Sequence, residues 1–434
     1  MIGMAKQKAS LIGRKIALQS RFSGKRRFGK DHAEGLIEDG HTAAGQMTPE
    51  GIRYFDNNAT TKIADEVVEA MMPYFTDRWG NASAAYRFGT DVSRAIRVAR
   101  GRVAELMNAE PEEVIFTSCG TESNNAAWQG ALLTQPNRRH IITTAVEHSA
   151  NIKFGDHLRQ RGYEVTFLPV EENGLIDLHL LEKAIRPETA LVSVMWANNE
   201  TGVVLPIEEI AAICHSRGAL FHTDAVQVAG KIPIDVRETN VDYLSLSAHK
   251  LHAPKGIGCL FVRRGAPFTP FVVGGGQERG CRGGTENVPY IVGFGRAAEL
   301  AINAIEEENT RVRAMRDRLE DTILTKVPRT SRNGAKAQRL PNTSNLAFHG
   351  VEAEALLLML DQAGICAATG SACKTGSLEP SHVLTAMGLP AELAMASLRL
   401  SLGIYNTEED VDYLLEQLLP IISRLRAEEA VATA

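Results

Sequence analysis

Cys373, Lys250 and Asp224 are the residues of this chain whose type and setting point most directly to chemistry. Cys373 sits in Gly370-Ser371-Ala372-Cys373-Lys374-Thr375-Gly376-Ser377, a run of glycine and small polar residues with loop composition. Loops carry chemistry on rigid scaffolds, and a thiol beside a lysine in a polar segment loses its proton more readily than a packed one. Most lone cysteines are inert core residues, so position alone leaves nucleophile and core filler evenly matched. Lys250 closes Ser247-Ala248-His249-Lys250, just after the apolar run Tyr243–Leu246. A lysine at a buried strand end is costly as an ammonium, so its pKa falls and it can form a Schiff base with an aldehyde. Ser247 and His249 beside it can donate to a phosphate. Asp224 follows the apolar run Leu220–His222. A carboxylate there can pair with a protonated pyridine nitrogen and make the ring an electron sink. The commoner roles are an N-cap for such an aspartate and a solvated side chain for a lone lysine.

Another segment adds a phosphate site. Val114-Ile115-Phe116-Thr117 is apolar, Ser118-Cys119-Gly120-Thr121 is small, and a helical pattern follows. Such a turn presents backbone N–H groups at a helix N-terminus, where phosphate binds, and Thr121 adds a hydroxyl. Simple capping by Ser118 or Thr121 is the alternative. Singly these segments are weak. Helix-start donors, then a strand-end Asp, then a strand-end Lys, in that order, are far more specific.

The elements that must position these residues alternate. Candidate strands are Val114–Thr117, Ile141–Ala145, Val165–Pro169, Leu191–Trp196, Leu220–His222, Tyr243–Leu246 and Cys259–Val262, with helical patterns such as Ile207–Ser216 between. Continuous apolar runs suit strands buried on both faces of a mostly parallel sheet, so this part reads as doubly wound α/β. Ligands of such sheets sit at the carboxyl ends of strands, where the candidate residues lie. A long charged helix is expected from Glu299 through Arg318, with Glu306, Glu307, Glu308, Arg311, Arg313 and Arg316 facing solvent. Beyond it, strands Ser344–Phe348 and Leu398–Leu402, a helix over Ala353–Gln362 and a closing helix from Glu408 to about Arg426 form a second, smaller unit around the Cys373 loop.

The chain has 434 residues, enough for two or three domains. A net charge of −5 argues against bulk nucleic-acid binding, and no apolar stretch is long enough to span a bilayer. The six cysteines include no CxxC pair, which disfavours zinc or iron–sulfur cages and points to free thiols in a reducing, cytoplasmic setting. Residues 1–50 stand apart: the first 30 hold nine Lys or Arg and no acid. We expect a disordered basic extension, or an upstream start with Met47 as the true beginning; the alternative is an organelle presequence.

These segments, with Asp56-Asn57-Asn58-Ala59-Thr60-Thr61, Val146-Glu147-His148, Met195-Trp196-Ala197-Asn198-Asn199-Glu200 and Arg282-Gly283-Gly284-Thr285-Glu286-Asn287, resemble the pyridoxal-phosphate-dependent cysteine desulfurases of the aminotransferase class V group, nearest the nitrogen-fixation type. The resemblance runs from about Tyr54 to Arg426. Gly370-Ser371-Ala372-Cys373 followed by Ser377-Leu378-Glu379-Pro380-Ser381-His382 is similar to the long-loop subgroup.

The resemblance implies the type I fold of pyridoxal-phosphate-dependent transferases, with a seven-stranded sheet in a large domain (62–306) and a smaller α+β domain (51–61 and 307–434). It implies that Lys250 holds the cofactor and moves the substrate's α-proton. Asp224 would pair with the ring nitrogen, Gln227 with the phenolic oxygen, and His148 would stack on the ring. Gly120, Thr121, Ser247, Ala248 and His249 would hold the phosphate side, and Thr285 the phosphate of a neighbouring subunit, which makes a homodimer. Arg399 would clamp the substrate carboxylate, with Asn199 bridging ring and substrate and Asn58 near the carboxylate. Cys373 would take sulfur from L-cysteine as a persulfide, release alanine, and pass the sulfur to an iron–sulfur scaffold or other acceptor. The one metal contact implied is transient, an iron–sulfur contact through that persulfide. Selenocysteine lyase, another enzyme of the same cofactor class and a non-catalytic sulfur carrier are the alternatives. Met395 and Tyr86 stand where relatives usually carry histidine, and Cys281 where a basic or larger residue is usual.

Overall fold

The first seven runs predicted as strands, Val114–Thr117 through Cys259–Val262, pair into a single sheet. In chain order they are β1 (Val114–Thr117), β2 (His140–Thr144), β3 (Glu164–Leu168), β4 (Thr189–Ser193), β5 (Leu220–Asp224), β6 (Tyr243–Ser247) and β7 (Gly258–Val262), arranged β1-β7-β6-β5-β4-β2-β3. Every pairing is parallel except those of β7, which runs antiparallel to both β1 and β6. β1, β2, β4 and β6 are buried along their whole length, so their sequences read as unbroken apolar or small runs. The computed structural model describes residues 51–334, 336–369 and 379–432.

Helices cover the sheet. They include α1 (Arg87–Glu105), α2 (Gly120–Thr134), α3 (Ser149–Gln160), α4 (Ile207–Ser216) and α5 (Val288–Glu307). α5 lies against α1 so closely that a Cβ on Gly295 would stand 2.5 Å from Ala99 Cα. The predicted charged helix from Glu299 needs correction. α5 starts at Val288, with proline in its first turn, passes through a wider π turn at Glu308–Val312, and continues as α6 (Arg313–Lys326). Two of its charged residues are not solvated as expected. Glu308 is 5% exposed, and Arg316 is 3% exposed with Nη1 donating to the carbonyls of Leu340 and Thr343.

A second sheet holds β8 (Thr330–Arg332), β9 (Thr343–Phe348), β10 (Ala368–Thr369) and β11 (Ser397–Ser401) in the antiparallel order β10-β11-β9-β8. It packs with α6, α7 (Ala353–Gln362) and α8 (Glu408–Ala432) around an apolar core of its own, built on Phe348, Leu356, Leu398, Leu414 and Leu418. Arg53–Tyr54 pairs with Ile365–Cys366 and ties the start of the described chain to this second core. The described residues from Gly51 onward form one compact unit. The basic segment 1–50 lies outside the described residues.

Candidate active site

The carboxyl ends of β1, β2, β4, β5 and β6 open into a cavity of about 670 Å³ that meets β11 of the second sheet. Lys250 stands at its base, in the tight turn Ala248–Lys250 that follows β6. Its Nζ donates to the backbone carbonyls of Asn58 and Ala59, the latter at 2.8 Å. Burial first, then repulsion from Lys231 and Arg399, pushes its pKa down to about 7, against the pull of Asp56 and Asp224. An amine so placed is substantially neutral at neutral pH, as a Schiff-base lysine must be.

Asp224 ends β5 and is 7% exposed. Asn124, one turn into α2, donates to its Oδ2 at 2.7 Å, and Val226 N donates to Oδ1 at 3.0 Å. A turn follows Asp224, so the common N-cap role is not the one it fills. Gln227 donates through Nε2 to the Asn58 carbonyl at 2.9 Å, while its buried Oε1 has no hydrogen-bond partner. His148 caps α3, its Nδ1 accepting from Ala150 N at 3.2 Å, and it stands at the cavity wall instead of in the core. Burial lowers its pKa, an effect that Asp224 opposes and Lys250 and His382 reinforce.

The first turn of α2 lines the cavity with Gly120 and Thr121. A Cβ on Gly120 would stand 2.9 Å from Val226 Cγ2, so glycine keeps this turn close to the loop after β5. Glu122 would repel an anion here, but Ser118 N at 2.8 Å and Arg282 Nε at 2.9 Å hold its carboxylate. Ser247 and His249 complete this end of the cavity. His249 Nδ1 bonds Thr60 Oγ1 at 3.2 Å, and burial, followed by repulsion from Lys250, Lys255 and Lys231, pushes its pKa down to about 4, so the ring is neutral.

Arg399, on β11, is 7% exposed and lines the cavity. Its Nη2 donates to Asp56 Oδ1 at 2.6 Å and its Nη1 to the Asn199 carbonyl at 3.1 Å. Asn199 also lines the cavity. Asn58 lies there too, but its side chain is committed to protein: Nδ2 donates to the Asn199 carbonyl and Thr343 Oγ1, and Oδ1 accepts from Asn342.

Ala248 and Thr285 do not line this cavity, and Thr285 was expected at a neighbouring subunit's phosphate instead. Ala248 is fully buried, its N–H spent on the Ile257 carbonyl, and Thr285 is exposed away from its own chain's site. Cys373 lies outside the described residues. The chain on either side of that segment, at Ala368-Thr369 and Glu379-Pro380, lines the cavity. Tyr86, Met395 and Cys281 do not touch it.

Asn124, Asp56, Glu200 and Glu147 were missed from sequence. Glu200 accepts from Ser381 Oγ, and burial pushes its pKa up to about 7. Glu147, wholly buried beside His148, accepts from Thr144, Asn151 and Met195 N, and burial likewise raises it to about 7. Asn124 lies four residues after Gly120, a helical spacing that would have placed it on the face of α2 toward β5.

The donor set fits pyridoxal 5′-phosphate. A low-pKa amine suits the aldehyde, a fixed carboxylate the ring nitrogen, the orphaned Gln227 Oε1 a ring hydroxyl, and the glycine-tight helix start the phosphate. Among the described residues no cluster of His, Cys, Asp and Glu is arranged to hold a metal, and no helix is long and apolar enough to cross a membrane.

Comparison with known proteins agrees with the geometry. Residues 53–414 match the model of the aminotransferase class-V family. Cysteine desulfurase of Trichormus azollae is 54% identical over 374 residues, covering 86% of this chain and 94% of that protein. Cysteine desulfurase NifS of Azotobacter vinelandii is 50% identical over 374 residues, covering 86% and 93%. A solved NifS-like protein superposes with a TM-score of 0.80 at 38% identity, over 86% of this chain and 99% of that one. A cavity built for an aldehyde cofactor and a sequence that matches along nearly all its described length place this chain in the aminotransferase class-V family, whose cofactor is pyridoxal 5′-phosphate.

Proposed function

We propose that this chain is a cysteine desulfurase, converting L-cysteine to L-alanine and holding the released sulfur as a persulfide on Cys373. The observation that carries this reading is the cavity itself. It joins a low-pKa lysine, a buried strand-end carboxylate and a buried arginine, and both flanks of the Cys373 segment reach it. The desulfurase names of the similar proteins support it.

In this reading Arg399 binds the substrate carboxylate, with Asn199 beside it and Asn58 holding both elements in register. Lys250 holds the cofactor and then moves the substrate's α-proton. Asp224, fixed by Asn124, keeps the ring nitrogen protonated; Gln227 meets the phenolic oxygen; His148 covers the ring face. Gly120, Thr121, Ser247 and His249 hold the phosphate. The bound cofactor supplies an electron sink for charge left on the substrate. The Cys373 thiolate attacks the substrate sulfur. The C–S bond breaks as the S–S bond forms, and the electron pair passes to the substrate carbon, which takes a proton and leaves as alanine.

The reading extends to a homodimer in which Thr285 serves the partner's phosphate. It extends to a cytoplasmic setting, which the five free described cysteines support, and to sulfur delivery to an iron–sulfur scaffold in nitrogenase assembly. We further assign residues 62–306 to a large domain, and 51–61 with 307–434 to a small one, because each encloses its own apolar core.

The test replaces Cys373 with Ala in cofactor-loaded protein. The variant should keep the cofactor's absorbance and lose both sulfide and alanine production. Mass spectrometry of the unaltered protein after brief exposure to cysteine should find one added sulfur on the Cys373 peptide. Sulfide release at the normal rate from the Cys373→Ala protein would refute the nucleophile.

A further inference from the structure

Lys250 also borders a second cavity, of about 310 Å³, between the loop after β5, helix α5 and the chain following β11. Two buried charged side chains line it. Lys231 is 4% exposed and its Nζ has no hydrogen-bond partner; Glu308 is 5% exposed and its Oε2 has none. The two attract one another, yet no ion pair joins them among the described residues. Glu308 opens the π turn between α5 and α6, a departure from α-helix of the kind that often marks a functional site. Asn309 donates to the Lys231 carbonyl at 2.7 Å, which fixes the two walls against each other.

A buried ammonium and a buried carboxylate without partners are costly, and burial lowers the pKa of Lys231 and raises that of Glu308 to about 7. The space far exceeds a single water's share of about 30 Å³. We propose that this cavity binds a small α-amino acid, its carboxylate on Lys231 and its ammonium on Glu308. Opposite signs on the two walls select a zwitterion. A simple anion would satisfy Lys231 and be repelled by ionised Glu308, and a simple cation would do the reverse. The rest of the lining includes Leu300, Ala301, Ala304 and Ile404, which suits a short apolar side chain.

The test is calorimetric titration of L-alanine into cofactor-loaded protein carrying Arg399→Ala, which lacks the guanidinium of the first cavity. Occupancy at the cofactor is read separately from its absorbance. We expect one saturable site per subunit with no change of colour, competed by glycine and not by acetate or methylammonium. Adding Lys231→Met should weaken that binding more than tenfold. Adding Ala304→Phe instead should abolish it, because the ring fills the void while both charges stay; this variant keeps the test open if Lys231→Met does not fold. No saturable binding in the Arg399→Ala protein, binding unaltered by Ala304→Phe, or equal competition by acetate would overturn the assignment. Because heat of binding is measured and not turnover, failure here is distinct from failure of the desulfurase reading, which sulfide release from cysteine decides.

Discussion

Cofactor uptake by the cofactor-free protein should report the ionisation of Lys250, because only a neutral amine attacks an aldehyde. A lysine at its ordinary value of 10.5 would be neutral at pH 7 in about one molecule in 3000. With the pKa lowered to about 7, close to half the molecules carry the free amine. The structure thus predicts a gain of about three orders of magnitude in reactive lysine at neutrality, most of it from burial and the rest from Lys231 and Arg399. The assay mixes cofactor-free protein with pyridoxal 5′-phosphate from about pH 5.5 to 9 and follows the bound cofactor's absorbance. The rate constant should climb about tenfold per pH unit to about pH 7 and then level off. A rate that continues to climb tenfold per unit through pH 9 would mean an ordinary lysine, and would refute the claim that this strand end depresses it.

Two further outcomes follow from buried residues. Glu200 is 4% exposed and its folded pKa of about 7 lies above the ordinary 4.5, so its stabilising contribution is full below about pH 4.5 and lost as pH rises to about 7. Glu200→Gln should remove that part of the slope, on the order of 3 kcal/mol across the window; denaturant unfolding at both ends measures it, and an unaltered slope counts against the burial argument. Gly295→Val should destabilise by about 1–3 kcal/mol through overpacking of α5 on α1, since even a Cβ would stand 2.5 Å from Ala99 Cα; an unshifted unfolding midpoint would show that the two helices can separate freely.

The sheet was legible because its strands are buried on both faces, so apolar runs such as Ile141–Ala145 and Tyr243–Leu246 announce themselves without any periodicity. The start of α5 was not. Val288-Pro289 carries a start signal, but Gly293 and Gly295 lower the helical appearance of the stretch that follows. Those glycines are there for close packing: a Cβ on Gly293 would come within 2.6 Å of Met71 Sδ. Charge misled in the same region. Arg316 looks like a solvated helix residue until β9 supplies the Thr343 carbonyl that accepts its hydrogen bond, and that partner is 27 positions away.

The same distinction holds within the candidate site. Lys250, Asp224 and Gly120 could be picked out because each sits where local pattern exposes a functional group at an element's end, whereas Arg399 was reached only through the family resemblance. Their partners could not, because no local rule says which distant polar atom will face them. Asp56 meets Arg399 across 343 positions, and Asn124 meets Asp224 across 100. Those partners decide what the site can do. A bidentate grip on a carboxylate needs two parallel N–H bonds from one guanidinium. In Arg399, Asp56 holds Nη2, the Asn199 carbonyl holds Nη1, and the buried Nε alone has no partner. A substrate carboxylate gains that grip through Nε and the neighbouring N–H of Nη2, in competition with Asp56 for the same guanidinium. A ligand without a carboxylate offers nothing to replace the Asp56 bond. Selection for an α-amino acid thus rests on this competition as much as on the charge of Arg399.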